Sequence, residues 1–281
     1  MSTVSTAIPT PAGGGGPAGT GAPRILRDTW TITRRDLAHW VAQPAPVVIS
    51  LLFPVMTVLM FGYLFGGALS VPGGGSYREF LLPGMFALTM VFGMEMTMAA
   101  VVTDAARGVT DRFRSLPMAS SAVLLGRSSA DMLNAVVGLA VIISCGLAVG
   151  WQAREGLTST LAAIGLLLLL RFALIWVGIY LGLLVNGPEA VTGAQILVWP
   201  LGFLSNAFVA PSTMPGWLGT IAEWNPLSAT VSATRDLFGN PGFAGESWAG
   251  DQALALAVAW PLLLLAVFLP LSVRRYRRLS D

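Results

Sequence analysis

The sequence predicts an all-α integral membrane protein: six transmembrane helices, an N-terminal interfacial amphipathic helix, and two short re-entrant outer helices before the sixth span. Three observations carry this prediction. Hydrophobic residues make up 54% of the chain and the mean hydropathy is +0.72, above the balance of a water-soluble domain. Six windows, near 47–69, 80–102, 132–151, 160–185, 191–210 and 252–273, are each long enough to cross a bilayer, which takes roughly 20 apolar residues. Charged residues are only 11% of the chain, and they gather between these windows rather than inside them.

The elements follow in chain order. Residues 1–23 are rich in Gly, Pro, Ala and Thr and too poor in apolar side chains to fold, so they read as a disordered tail. The run "GGGGPAGTG" at 13–21 only faintly resembles a phosphate-binding loop. Such a loop needs a lysine for the nucleotide phosphates, and every basic residue in this chain is arginine. Residues 24–43 form the interfacial helix: at 100° per residue Leu26, Trp30, Leu37, Trp40 and Val41 share one face, with Arg24, Arg27, Asp28, Arg34 and Arg35 opposite. His39, the one histidine, lies here and reads as an interface residue. Pro44 and Pro46 turn the chain into the membrane.

The six-span transmembrane domain occupies 47–273, and 274–281 is a basic tail. Twelve arginines (24, 27, 34, 35, 107, 112, 114, 127, 274, 275, 277 and 278) fall on one side of the spans and three, Arg78, Arg154 and Arg235, on the other. Basic residues of short loops stay on the cytoplasmic side, which puts both termini in the cytoplasm and Arg235 at the outer rim. Between the fifth and sixth spans two apolar pieces, about 215–224 and 226–238, are too short to cross. Pro215 and Pro226 suit a first helical turn, and helices dipping partway must pack against protein. Trp217 and Trp224 are therefore expected to be shielded.

Two ionisable residues lie inside windows: Glu95 in the second and Arg171 in the fourth. Charges at depth are costly and mark a site or a buried pair. Three readings fit: the two pair across the second and fourth spans, Glu95 faces a translocation path, or both satisfy local needs by snorkelling and carbonyl capping. Met85, Met90, Met94, Met96 and Met98 crowd the second window; they read as core filler, with adaptable apolar binding as the alternative. One histidine and one cysteine, Cys145, leave no nucleophilic triad, disulfide or cysteine metal site. No catalytic, cofactor-binding or metal residue is assigned.

The segment "GVTDRFRSLPMASS" after the second span, "GRSSAD" (126–131) and "NPLSATVSATRDLFGNP" (225–241) together resemble the permease subunit of type-2 ABC exporters, specifically the daunorubicin-resistance permeases of actinobacteria. The resemblance covers about 24–279. It implies a transport subunit without its own nucleotide site, in the cell membrane, that moves hydrophobic or amphiphilic compounds outward. A separate cytosolic ATPase would hold ATP and Mg, and a second permease copy, the same or different, would complete the path. It also implies a coupling helix at about 104–116 that docks on the ATPase through Asp104, Arg107, Asp111, Arg112, Phe113, Arg114 and Leu116. Charged groups there supply ion-pair partners and Phe113 and Leu116 supply apolar anchors; Gly108 permits a bend and Pro117 ends the helix. Many relatives carry Glu and Arg at the entry to this loop, where this chain has Asp104 and Ala105. A proton-coupled secondary exporter using Glu95 and a non-transporting membrane anchor of an ATPase complex are the competing functions. The predicted topology is checked by cysteines placed at Ser76, Ser247, Ser115 and Ser280 in a variant lacking Cys145. The first two should label from outside intact cells and the last two only after permeabilisation.

Overall fold

The computed structural model describes residues 45–65, 76–108, 120–185, 187–242 and 247–278, with 29–31, 33, 34, 38 and 42 ahead of them. The 1–23 tail, most of the interfacial helix including His39, residues 109–119 and the last three residues lie outside the described set. All the described elements are helical: α1 (Ala45–Met60), α2 (Tyr77–Ala106), α3 (Ser120–Ala148), α4 (Gly156–Leu184), α5 (Pro188–Phe203), α6 (Gly216–Glu223), α7 (Pro226–Phe238), α8 (Trp248–Asp251) and α9 (Ala253–Arg278). Four are long and apolar enough to cross a membrane: α2, α3 from Val123, α4 and α9. The chain is a multi-pass membrane protein.

The other two predicted windows contain shorter helices. α1 carries Pro54 within it and gives way to a π turn over Phe61–Phe65. That turn presents the Gly62 carbonyl to Arg78, whose Nε donates at 2.6 Å. α5 starts at Pro188 after Gly187 at φ 91° and stops at Phe203, short of the predicted 210. The backbone released there is taken up by side chains from the following elements. Asn225 Nδ2 donates to the Leu204 carbonyl at 2.8 Å and Ser228 Oγ accepts from the Asn206 N–H at 3.0 Å. At the other extreme α9 continues through Arg278, so most of the predicted basic tail is helical. Arg275, Arg277 and Arg278 sit in its last turn, where the helix dipole favours cations.

The centre of the bundle is the α2–α4 pair, the most extensive helix contact, with α9 against α4 next. Gly178 and Gly182, four apart on one face of α4, meet α2 so closely that a Cβ would lie 2.7 Å from the Met94 carbonyl and 2.7 Å from Val101 Cβ. Small residues at this spacing let two helix backbones approach in a medium where the hydrophobic effect gives no help. Met85, Met90, Met94 and Met98 are buried along α2 while Met96 is exposed, so most of the methionine cluster fills the core.

One end of the bundle is tied by arginines. α7 has the boundaries its sequence dictates: Asn225 caps the Leu227 N–H, Pro226 takes the first turn, and Gly239 at φ 67° ends the helix. It packs against α2, α4 and α9, and Arg235 on it is wholly buried. The sequence places Arg235 at the outer rim in contact with polar groups; the structure gives it those contacts in a fully buried setting. Its Nε donates to the Phe80 carbonyl at 2.9 Å, its Nη2 to the Asn206 and Ala207 carbonyls at 2.9 and 3.1 Å, and its guanidinium lies 3.7 Å over the Phe80 ring. Burial pulls this guanidinium down to about 9, against the opposing charge of Asp236, so it stays protonated at neutral pH. Arg78 joins the Gly62 and Val149 carbonyls, and Arg154 pairs with Glu79. Beside them Trp151 meets Phe86 and Phe238 edge-on, with its Nε1 donating to Asn240 Oδ1 at 2.7 Å.

α6 packs less deeply. Only Gly219 and Ala222 are buried on it, while Trp217 is 70% and Trp224 48% exposed. Within the described residues Trp217 is left largely open, and Trp224 is covered on one face by stacking on Trp248. The glycine contact gives a direct test. Gly178→Ala should lower stability by about 1–3 kcal/mol through backbone overlap. Gly165→Ala on the same helix, where nothing lies within 4 Å, should hold or raise it by its helix preference. Thermal unfolding of the two purified variants in one detergent reads the difference, and equal melting would remove the close contact from the account.

Candidate functional site

Arg171 is the sixteenth residue of the 29-residue α4 and only 3% exposed. A guanidinium at that depth needs hydrogen bonds and an opposing charge. Its Nη2 donates to Thr97 Oγ1 at 3.0 Å, and Thr97 in turn donates to Asp131 Oδ2 at 2.7 Å. Asp131 supplies the opposing charge. α2 accommodates the planar head because residue 93 is glycine: a Cβ there would lie 2.7 Å from Arg171 Cζ. The chain Arg171–Thr97–Asp131 thus joins α4, α2 and α3.

Of the three readings of the intramembrane charges, no Glu95–Arg171 ion pair is found among the described residues. Glu95 and Arg171 instead line one cavity, together with Asn134 and Trp199. Asp131, Thr97 and Gly93 were not singled out from sequence. Asp131 lay one residue outside the third predicted window, because that window was drawn from hydropathy alone. The signal was present: from Ser120 to Asp131 nothing breaks a helix, and Arg127 and Asp131 stand four apart.

The other end of the bundle carries Asp104 and Arg107. α2 runs straight through Asp104 to Ala106, and Gly108 at φ 64° then turns the chain in the left-handed region that glycine favours. Asp104 is therefore on the last turn of a spanning helix, not at the start of a separate coupling helix. Its Oδ2 takes a 2.5 Å ion pair from Arg127 Nη2, clamping α2 to α3. Arg107 is exposed. Asp111, Arg112, Phe113, Arg114 and Leu116 lie outside the described residues. Close by, Thr33 is buried and its Oγ1 lies 3.1 Å from the Gly126 carbonyl, seating the N-terminal helical residues on α3, while Trp30 faces away, 61% exposed.

A helical membrane bundle with charges held at depth and short helices packed over one end has the makings of a transporter subunit. The ABC-2 type transporter family matches residues 27–238, and the chain belongs to that family of membrane permeases. It is 39% identical over 236 residues to a daunorubicin resistance ABC transporter permease protein of Streptomyces coeruleorubidus, covering 83% of this chain and 80% of that one. It is 21% identical over 265 residues to a probable doxorubicin resistance ABC transporter permease of Mycobacterium tuberculosis, 94% of each. A putative transport permease of Cyanophora paradoxa matches at 24% over 255 residues, 87% of this chain and 86% of that one.

The buried relay makes a prediction of its own. Asp131→Asn leaves the Arg171 charge without its counterpart and should melt well below the parent. Arg171→Met with Asp131→Asn together should recover part of that loss, because an unpaired buried charge costs more than a missing pair. A double-mutant cycle on melting temperature checks this; simple additivity would separate the two residues.

Proposed function

We propose that this chain is the membrane permease subunit of an ATP-driven exporter that moves hydrophobic or amphiphilic compounds outward. The observation that carries the reading is the family match across most of the chain, joined to close similarity with a drug-resistance permease. In this reading α1 with its π turn and α5 complete six crossings, both termini lie in the cytoplasm, and the Arg235 end faces outward. The arginine distribution supports that orientation. ATP and Mg are held by a separate ATPase, since this chain has no lysine to hold nucleotide phosphates. A second permease copy shares the path.

Coupling to the ATPase falls to residues beyond Gly108. Asp104 is engaged with Arg127, so the docking contact belongs chiefly to Asp111, Arg112, Phe113, Arg114 and Leu116, with Arg107 at its edge. Mixed charges give ion-pair partners and the apolar pair gives a core for such an interface. α7 and its arginine ties form the outer closure of the path.

The reading is tested by co-purification of the ATPase with export assayed in parallel. Arg112→Glu should leave expression and insertion intact, because eleven of the twelve arginines of that side remain. Docking should fail through charge repulsion. Phe113→Ala should weaken docking with less dependence on salt, since its contribution is not Coulombic. The isolated chain should hydrolyse no ATP. Parent-like docking and export by both variants would return the segment to a topology signal, and ATP turnover by the chain alone would overturn the permease reading.

A further inference from the structure

The basic end of α9 is helical, and the fold divides its arginines between two faces. Ser272 and Tyr276 are buried. The Ser272 hydroxyl donates to the Trp176 carbonyl at 3.1 Å, and Arg275 Nε donates to the Leu183 carbonyl at 3.4 Å. Tyr276 lies in one apolar cluster with Val101 of α2, Leu124 of α3 and Ile179 of α4. That face is pinned to the bundle. Arg274, Arg277 and Arg278 are all exposed. At about 100° per residue they fall within an arc of about 100° around the helix. Leu263 and Val267, exposed earlier on α9, fall in the same arc, and Ser272 and Tyr276 lie opposite it.

Depth along the helix points the same way. Arg274 is about 32 Å from Ala253 along the axis, close to the hydrocarbon thickness of about 30 Å. Arg277 and Arg278 are one turn farther on. The side of α9 that meets acyl chains at Leu263 and Val267 therefore reaches lipid phosphates at the three arginines. None of the three joins an ion pair among the described residues. Of the carboxylates near that end, Asp104 is held by Arg127, and Glu189 stands in the first turn of α5. Like charges three and four residues apart on one helix repel, and an anion placed between them removes the repulsion. The helix dipole favours cations in this turn, and arginine on the cytoplasmic side fixes topology; neither effect selects a face.

We propose that Arg274, Arg277 and Arg278 form a binding site for the headgroup of an anionic phospholipid, whose acyl chains lie along Leu263 and Val267. A guanidinium fork matches two phosphate oxygens at once, and three such groups on one face hold a phosphate that a neutral headgroup would shield with its own cation. Arg275, turned to the Leu183 carbonyl, stands outside the site although it lies in the same turn. The inference goes beyond the exporter reading and does not depend on it, since it needs neither a transport direction nor a partner ATPase.

The test uses the full chain, in a variant lacking Cys145, in nanodiscs of phosphatidylcholine with a minor share of phosphatidylglycerol. A bimane on Val267→Cys reports the lipid that lies along the arginine face. Disc composition is held constant, and only the lipid that carries quenching brominated chains is exchanged. Brominated phosphatidylglycerol should be favoured at this position over phosphatidylcholine by about fivefold or more, the effect of one arginine near an anionic lipid surface. The preference should fall with added salt. Arg274→Gln, Arg277→Gln and Arg278→Gln together should bring it to parity, and Arg275→Gln alone should leave it. A bimane on Leu254→Cys, in the other leaflet, should report no preference. Comparing the two reporters decides the matter even if the arginine variants fail to fold. No preference at Val267→Cys, equal preference at both reporters, a preference that survives the triple substitution, or its loss on Arg275→Gln alone would each overturn the proposal. If the missing preference comes with loss of the ATPase from the triple variant on co-purification, the face belongs to that protein instead.

Discussion

The close approach of α2 and α4 is the constraint on which the rest of the bundle depends. Gly178 and Gly182 remove the side chains that would hold the two backbones apart. Between membrane helices there is little hydrophobic gain from contact, so dispersion and polar bonds must hold the pair, and both fall away quickly with distance. Only at this separation does the Arg171 head reach Thr97 and lie against Gly93. The same approach buries Thr97 and so directs its hydroxyl to Asp131 on α3. A polar chain across three helices is thus a consequence of glycines placed on two of them.

Much of this was legible in the sequence, and what was not has a physical cause. Hydropathy located four spanning helices because a single charge, Glu95 or Arg171, does not outweigh an apolar run of that length. It overextended the fifth. Its end is decided by a side chain distant in sequence, Asn225 taking the Leu204 carbonyl. The limits of α7 were readable because Asn225, Pro226 and Gly239 act on the local backbone. The partner of Arg171 was not readable, since Glu95 and Asp131 are equally plausible carboxylates until the helices are packed. Of the predicted docking residues the described structure reaches Asp104, which lies on α2 and pairs with Arg127, and Arg107, which is exposed.

The arginines divide by task as well as by side. Arg78, Arg154 and Arg235 were counted by the sign of their charge, as a minority on the outer face. Each proves to be a tie between segments: Arg78 among the π turn, α2 and α3, Arg154 to Glu79, Arg235 to three carbonyls. Guanidinium suits this work. It offers five donors in a fixed plane, stays charged when buried and is less strongly hydrated than an ammonium group. A chain that uses no lysine has at each such point a residue able to satisfy several free carbonyls at once.

The clamp between Asp104 and Arg127 sits one turn before the left-handed Gly108. Mechanically that order matters. Gly108 is a swivel, a place where the direction of the chain changes without unwinding α2, and the clamp lies on the bundle side of it. A pull on the chain beyond Gly108 would therefore bear on α2 and α3 together rather than on α2 alone. Thr97 on α2 and Asp131 on α3 are bonded as well, so the two helices are joined at two levels, with Arg171 of α4 held to the second of them.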